Sequence, residues 1–317
     1  MMDGSPATLL LSPMFKAAGD PMRLQILRIM QRDSFGVLEL CKVFSVQQPS
    51  MSHHLKVLLK AGLVVTRREG NSIFYRRSSS SREGDRQLLT SFFELLDSEA
   101  LDQKLISAVG EIQALRRSQA TEFFRENADR FREQQDLIAG HKEYGGLVAG
   151  MLALDPNSSW LEVGPGDGAL LRDCAADFAT VSALDVSKEL IAESVKNLPE
   201  DLRDKVTFLH SDTSEAMESG VKADVISCNM VLHHVPSPAA MVSDMAAMLN
   251  SGGQLVVTDL DQHDQDWARE ACGDLWLGFP PEHLNDWAEL AGLAKGRSDY
   301  LALRNGFGVQ IQEYTKA

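Results

Sequence analysis

Along the chain the spacing of hydrophobic positions changes from helical to strand-like and back, and the changes mark out its parts. From Phe15 to Gln31 apolar residues recur at helical spacing, with Leu24, Leu27 and Met30 on one face, after a stretch from Met1 to Ser12 that reads as frayed. Leu38 to Phe44 predicts a short second helix. Pro49, suited to a first helical position, opens a third, in which Met51, Leu55, Leu58 and Leu59 share a face. Gly62 caps it, and two short strands follow at 63–68 and 72–77, joined through Glu69-Gly70-Asn71. Ser78 to Ser81 is a polar break. From Arg86 to about Gln135 the pattern is helical again, with Leu88, Leu89, Phe92, Phe93, Leu95 and Leu96 crowded together and Leu101, Leu105, Ala108, Ile112 and Leu115 continuing the series. Beyond Trp160 short apolar runs at 160–164, 180–185, 206–210, 223–228 and 253–259 alternate with helical stretches such as 188–197 and 241–249, and a closing antiparallel hairpin is expected between Tyr300 and Tyr314, around Asn305-Gly306. That alternation predicts a parallel, doubly wound Rossmann-like sheet with its ligand at the C-terminal ends of the strands. The chain is thus read as multidomain: a winged helix-turn-helix (α+β) over 1–82, a helical connector over 83–145 and an α/β sheet domain over 146–317.

Composition adds little, because 44% hydrophobic and 24% charged residues are ordinary for a globular protein. No apolar run approaches roughly 18 residues and no signal-peptide pattern opens the chain, so a cytoplasmic protein is expected. Cys41, Cys174, Cys228 and Cys272 are scattered, with no C-x-x-C pair, and are expected as reduced thiols rather than disulfides or a metal site. Charge is more informative. Residues 1–80 hold 11 Lys and Arg against 5 Asp and Glu, net +6, whereas the remainder holds 20 against 40, net -20, which together give the total of -14. A basic first quarter on an acidic chain points to an anionic polymer as its partner.

The polar face of the third helix carries Gln48, Ser50, Ser52, His53, Lys56 and Lys60. Short hydrogen-bonding groups near the N-terminus of a helix suit base edges in a major groove, and flanking cations suit phosphates. Arg67, Arg68, Arg76 and Arg77 bracket the following hairpin, which reads as a wing on duplex DNA; the alternative is a helical interaction domain with a solvated charged face. His53 and His54 point about 100° apart on a helix, so His54 is expected packed or capping and His53 nearer DNA.

In the second half the densest chemistry lies in Trp160-Leu161-Glu162-Val163-Gly164-Pro165-Gly166-Asp167-Gly168. A buried strand running into Gly164, Gly166 and Gly168 lets main chain approach a nucleotide closely, although Gly164, Gly166 and Ala169 also satisfy a dinucleotide fingerprint. Glu162 at the strand's end repels a pyrophosphate and attracts a sulfonium or amino group, favouring S-adenosylmethionine over NAD. Asp185 closes the next strand, where a carboxylate can accept from both ribose hydroxyls. Asp212, after the third strand, is placed to accept from an adenine amino group. Phe123, Phe124, Phe131 and Tyr144 are candidates for a lid.

With these residues in view, the segment from about Met14 to Arg77 resembles the ArsR family of winged-helix repressors, through Gly19 to Leu27, Gln48 to Leu58 and Ala61 to Val64. The resemblance implies operator DNA as partner and a homodimer formed by the helix after the wing. Metal sensors of that family often pair two cysteines, whereas Glu39-Leu40-Cys41-Lys42-Val43 keeps one, so soft-metal sensing there is not expected. The second half resembles class I S-adenosylmethionine-dependent methyltransferases over about 150 residues. By that resemblance Glu162, Gly164, Gly166, Gly168, Asp185, Val186, Asp212, Thr213 and Asn229 are the positions for S-adenosylmethionine or S-adenosylhomocysteine. His233 or His234 then orients or deprotonates an acceptor, or else the pair simply caps a short helix, and the resemblance places Trp267, Trp276, Trp287 and Gly278 to His283 in the region that shapes the acceptor pocket. Two functions remain open. One is a repressor of methyl-cycle genes whose methyltransferase-like domain senses the adenosyl ligand; the other is a working methyltransferase with a winged-helix appendage.

Overall fold

The computed structural model describes residues 6–70, 72–78, 83–127, 131–153 and 155–317, and the chain divides into two compact units, Met1–Leu115 and Arg116–Ala317.

The first unit opens with α1 (Pro6–Ala18) and α2 (Pro21–Ile29). The helix expected from Phe15 to Gln31 is therefore two, and the start expected to be frayed is helical from Pro6. Met14 and Ala17, both buried, anchor α1 to the core. The break is chemical: Pro21 has no N–H to continue α1, and Asp20 Oδ1 accepts from Arg23 N at 3.0 Å, capping a fresh start. Next come β1 (Phe35–Gly36), α3 (Val37–Phe44), α4 (Gln48–Lys60), β2 (Val64–Glu69) and β3 (Ser72–Arg77), with an antiparallel sheet in the order β1-β3-β2. β1 is two residues long, too short to leave a period in the sequence. Ile26, Leu27, Leu40, Met51, Leu55 and Leu58 fill the core, joined by Leu89 of α5 (Glu83–Asp97) and Ile112 of α6 (Gln103–Asn127). The long helical segment expected to Gln135 is interrupted after Asp97, and Asp102 accepts from Lys104 N at 2.8 Å where helix resumes.

In the second unit α7 (Phe131–Ile138) and α8 (His141–Met151) precede the sheet. There follow β4 (Ser159–Val163), α9 (Ala169–Cys174), β5 (Thr180–Asp185), α10 (Lys188–Asn197), α11 (Glu200–Arg203), β6 (Val206–His210), α12 (Thr213–Glu218) and β7 (Ala223–Asn229). The chain ends with α13 (Pro238–Met248), β8 (Leu249–Leu260), α14 (Trp267–Cys272), α15 (Pro281–Leu290), β9 (Leu293–Ala302) and β10 (Gly308–Lys316). The seven strands run in the order β6-β5-β4-β7-β8-β10-β9, parallel from β6 to β8, with β10 antiparallel to β8 and β9 antiparallel to β10. Trp160 to Val163 are all buried, as a central strand covered on both faces requires. Because β4 is flanked by β5 on one side and β7 on the other, strand order reverses at its C-terminal end, where a doubly wound sheet opens a crevice. No helix among the described residues is long and apolar enough to cross a membrane.

Candidate functional site

The crevice beyond β4 is floored by the glycine turn. Gly164, Gly166 and Gly168 hold φ of 69°, 56° and 78°, the left-handed region that favours glycine. A Cβ on Gly164 would run into the Val231 side chain, and one on Gly168 would lie 2.6 Å from Ser194 Oγ. At these two positions, then, close packing of protein against the turn requires glycine, in addition to any ligand above it.

Beneath the turn lies a buried polar chain. Trp160 Nε1 donates to Ser227 Oγ at 2.6 Å, Ser227 Oγ donates to Glu162 Oε2 in a short contact, and Asn229 Nδ2 donates to Glu162 Oε1 at 3.0 Å. Burial pushes the Glu162 carboxyl up to about 8 against the pull of the Ser227 and Asn229 hydrogen bonds. Asn229 Oδ1 is buried with no hydrogen-bond donor among the described residues. Ser227 was not legible as part of this site, because its link to Glu162 is made across the β4–β7 pairing.

Asp185, at the end of β5, is buried and pushed up to about 6 by desolvation, opposed by the Ser187 N–H, which donates to its Oδ1 at 2.8 Å. Val186 beside it is 59% exposed, an apolar surface at the lip of the crevice. Asp212 caps α12: its Oδ1 accepts from Glu215 N at 2.9 Å, while Oδ2 lies 3.5 Å from Arg117 Nη1. Thr213 is buried and its hydroxyl donates to Asp244 Oδ2 at 2.9 Å. Asp212 and Thr213, expected at the adenine end, are thus engaged in capping α12 and in bonding to α13.

His233 and His234 occupy the turn after β7, 1% and 5% exposed. His233 Nδ1 lies 2.8 Å from Asp259 Oδ1 at the end of β8, and Asp259 Oδ2 accepts from Leu232 N at 2.9 Å. Burial alone would lower the His233 pKa, but the Asp259 and Asp274 carboxylates outweigh it and raise it; His234 is held well below the ordinary value by burial and by His233. Trp276 is buried with Nε1 donating to Val235 O at 2.8 Å and the Arg116 guanidinium 4.8 Å above its ring. Of the expected lid, Tyr144 is buried edge-on to His141, Phe123 stands where a Cβ on Gly273 would meet its ring, and the side chains of Phe124 and Phe131 lie outside the described residues.

In the first unit Gln48, Ser50, Ser52, His53 and Lys56 all stand exposed on α4, opposite the buried Met51, Leu55 and Leu58. His54 turns away, its Nδ1 3.8 Å from Asp20 Oδ1. The four wing arginines do not share one face. Arg68 is exposed, its Nε donating to Gly70 O at 2.9 Å. Arg67 is 7% exposed, with Nε 2.6 Å from Glu69 Oε1. Arg77 grips Asp97 with both terminal nitrogens at 2.6 Å and donates to Leu27 O through Nε at 2.7 Å, and Arg76 is half-buried beside it.

The sequence matches the family model of the methyltransferase domain over residues 129–295 and that of the arsR family of bacterial regulatory proteins over residues 20–66. It is 27% identical over 146 residues to a ubiquinone biosynthesis O-methyltransferase of Coxiella burnetii, covering 42% of this chain and 62% of that one. The protein of the same description from Vibrio parahaemolyticus is 30% identical over 128 residues, 40% of this chain and 54% of its own. The chain therefore spans less than two thirds of the length of these curated relatives. A chain of the Haloferax volcanii complex between the Trm112 methyltransferase activator and a methyltransferase shares the fold, with a TM-score of 0.52 and 15% identity over 61% of this chain and 96% of that one.

Proposed function

Since the chain belongs to the methyltransferase-domain family and carries an arsR-family helix-turn-helix domain, we propose that it is a one-component transcription repressor whose methyltransferase domain binds S-adenosylmethionine or S-adenosylhomocysteine as effector. It binds operator duplex as a homodimer, in the cytoplasm, at genes of the methyl cycle. Exposed Leu95 on α5 and Ile106 on α6 supply apolar surface for the dimer.

The crevice residues fit an adenosyl group. The Asp185 carboxylate stands where ribose hydroxyls can donate to it, Val186 offers an apolar edge for the base, and the unsatisfied Asn229 Oδ1 suits an ammonium donor. Asp212 contributes to the adenine end only through whatever acceptor capacity its capping role leaves. On α4, Gln48, Ser50, Ser52 and His53 read base edges while Lys56 takes phosphate; on the wing, Arg68 and Arg76 are the arginines for the DNA backbone, and Arg67 and Arg77 brace the hairpin.

The observation that carries the sensor reading is the burial of His233 and His234. Both rings are turned toward Asp259 and Asp274 rather than presented to an acceptor. The second reading, an active methyltransferase, is favoured by the His233–Asp259 contact of 2.8 Å, a base and its orienting carboxylate. In that case the bound cofactor supplies the methyl group, and His233 would hold the acceptor's proton.

The deciding experiment is calorimetric titration with both adenosyl ligands, then operator gel shifts with and without each. A sensor binds ligand and changes DNA affinity; a hundredfold change requires about 2.7 kcal/mol of differential affinity between the two DNA-binding states. Methyl transfer to cell extract combined with ligand-blind DNA binding would replace the sensor by the enzyme.

A further inference from the structure

We propose that His233, His234 and Asp274 form a binding site for a first-row divalent transition cation, with zinc(II) as its natural probe and Asp259 as the carboxylate that orients it. The inference stands apart from the adenosyl reading and uses none of that ligand's residues.

One donor atom from each of the three side chains can be chosen so that all lie within 4.8 Å of one another, and all three residues are buried. His233 Nε2 and His234 Nδ1 approach the same Asp274 oxygen at 3.9 and 3.7 Å. In a tetrahedral site with bonds of about 2.0–2.1 Å, neighbouring donors stand about 3.3 Å apart. The two sides that meet at Asp274 are therefore about half an ångström longer than that spacing, and the third, between the two imidazoles, is held within 4.8 Å. His233 already has the outer partner expected of a metal-bound imidazole: Asp259 Oδ1 holds Nδ1 at 2.8 Å and leaves Nε2 facing Asp274. Asp259 is itself fixed, accepting from Leu232 N and from Leu260 N at 2.9 and 2.8 Å.

The backbone preorganises the third ligand. Leu275 N and Trp276 N both donate to His233 O, at 2.9 and 3.0 Å, which pins the loop carrying Asp274 against the turn carrying the histidines. Two ring nitrogens and one carboxylate form a donor set for zinc, iron, cobalt or nickel rather than for magnesium or calcium, which take oxygen shells. Three protein ligands leave a fourth position for water or a small ligand. Some 40 residues separate the histidines from Asp274, so no short spacing motif announced the site.

The test uses the full chain, stripped with a chelator and titrated with zinc(II) by calorimetry and with cobalt(II) by visible absorption. One equivalent per chain is expected, with the ligand-field bands of a nitrogen and oxygen tetrahedral site and a higher thermal midpoint on loading. Asp274→Asn and His234→Gln should lose that equivalent, and Asp259→Asn should weaken it about 10- to 100-fold, whereas Cys41→Ser and His53→Gln should leave it intact. Absence of stoichiometric binding, survival of binding in both ligand variants, or loss in Cys41→Ser would overturn the proposal. Should the buried variants fail to fold, the cobalt spectrum of the native chain decides: a thiolate charge-transfer band assigns the ion to cysteine and sinks the site, and its absence together with the tetrahedral bands upholds it.

Discussion

The polar face of α4 and the crevice beyond β4 present functional groups in opposite ways. On α4 the helix is held by Met51, Leu55 and Leu58, so Gln48, Ser50, Ser52, His53 and Lys56 stand in water and the fold does not depend on them. At β4 the polar groups are the interior: Glu162, Ser227 and Asn229 are joined to Trp160 by hydrogen bonds in a place where an unmet partner is costly. An exposed interface can change its residues at little cost to stability and is screened by salt; a buried one couples binding to folding and to pH. The wing mixes both, with Arg67 and Arg77 built into structure and Arg68 left outside.

The largest effect expected from this contrast is at Arg67. Arg67→Ala takes from Glu69 its buried ion-pair partner and should cost about 3–5 kcal/mol in denaturant unfolding, with DNA affinity of the folded protein nearly unchanged. Unaltered stability with a loss of DNA binding would return Arg67 to the interface. Next is Asp185→Ala, which takes away the carboxylate proposed to accept from the ribose hydroxyls and should weaken adenosyl-ligand binding by about 3 kcal/mol, on the order of a hundredfold; calorimetry at the wild-type level would place the ligand elsewhere.

A smaller effect is expected in the pH dependence. Glu162 and Asp185 have folded-state values raised to about 8 and about 6, so the folded chain keeps protons that the unfolded chain has released. Stability of the ligand-free protein should fall as pH rises, from about 4 to 6 through Asp185 and from about 4.5 to 8 through Glu162, by up to about 1.4 kcal/mol per pH unit for each group. Glu162→Gln should flatten the upper part of that fall in melts between pH 6 and 8; an identical slope in the variant would rule out Glu162 as its source. Smallest are Lys56→Ala and Arg68→Ala, each expected to lower the salt slope of DNA binding by about one and leave the melting midpoint in place.

Much of the architecture was legible along the chain. The 2.0 and 3.6 residue periods, Pro49, and the glycines after Val163 mark strand, turn and helix through local sterics, and Asn305-Gly306 marks the last hairpin. The break between α1 and α2 was missed in reading one helix from Phe15 to Gln31, although Asp20-Pro21 carries a cap and a helix start at that point. Other features left no trace in local sequence. Arg67, Arg68, Arg76 and Arg77 look equivalent in a basic cluster, and only strand pairing sends some inward and others out.

By itself the sequence determined the longer elements of both halves, though not β1 or the breaks between α1 and α2 and between α5 and α6, together with the helix-turn-helix and sheet classes, the basic and acidic halves, and the presence of Glu162 and Asp185 at strand ends, because each depends on neighbours a few residues away. Tertiary structure alone decided which of those groups are buried, that burial raises the Glu162 carboxyl, and that Asp259 and Asp274 close around His233 and His234. Those outcomes follow from contacts between residues some 25 to 65 positions apart, which a chain pattern does not encode and packing does.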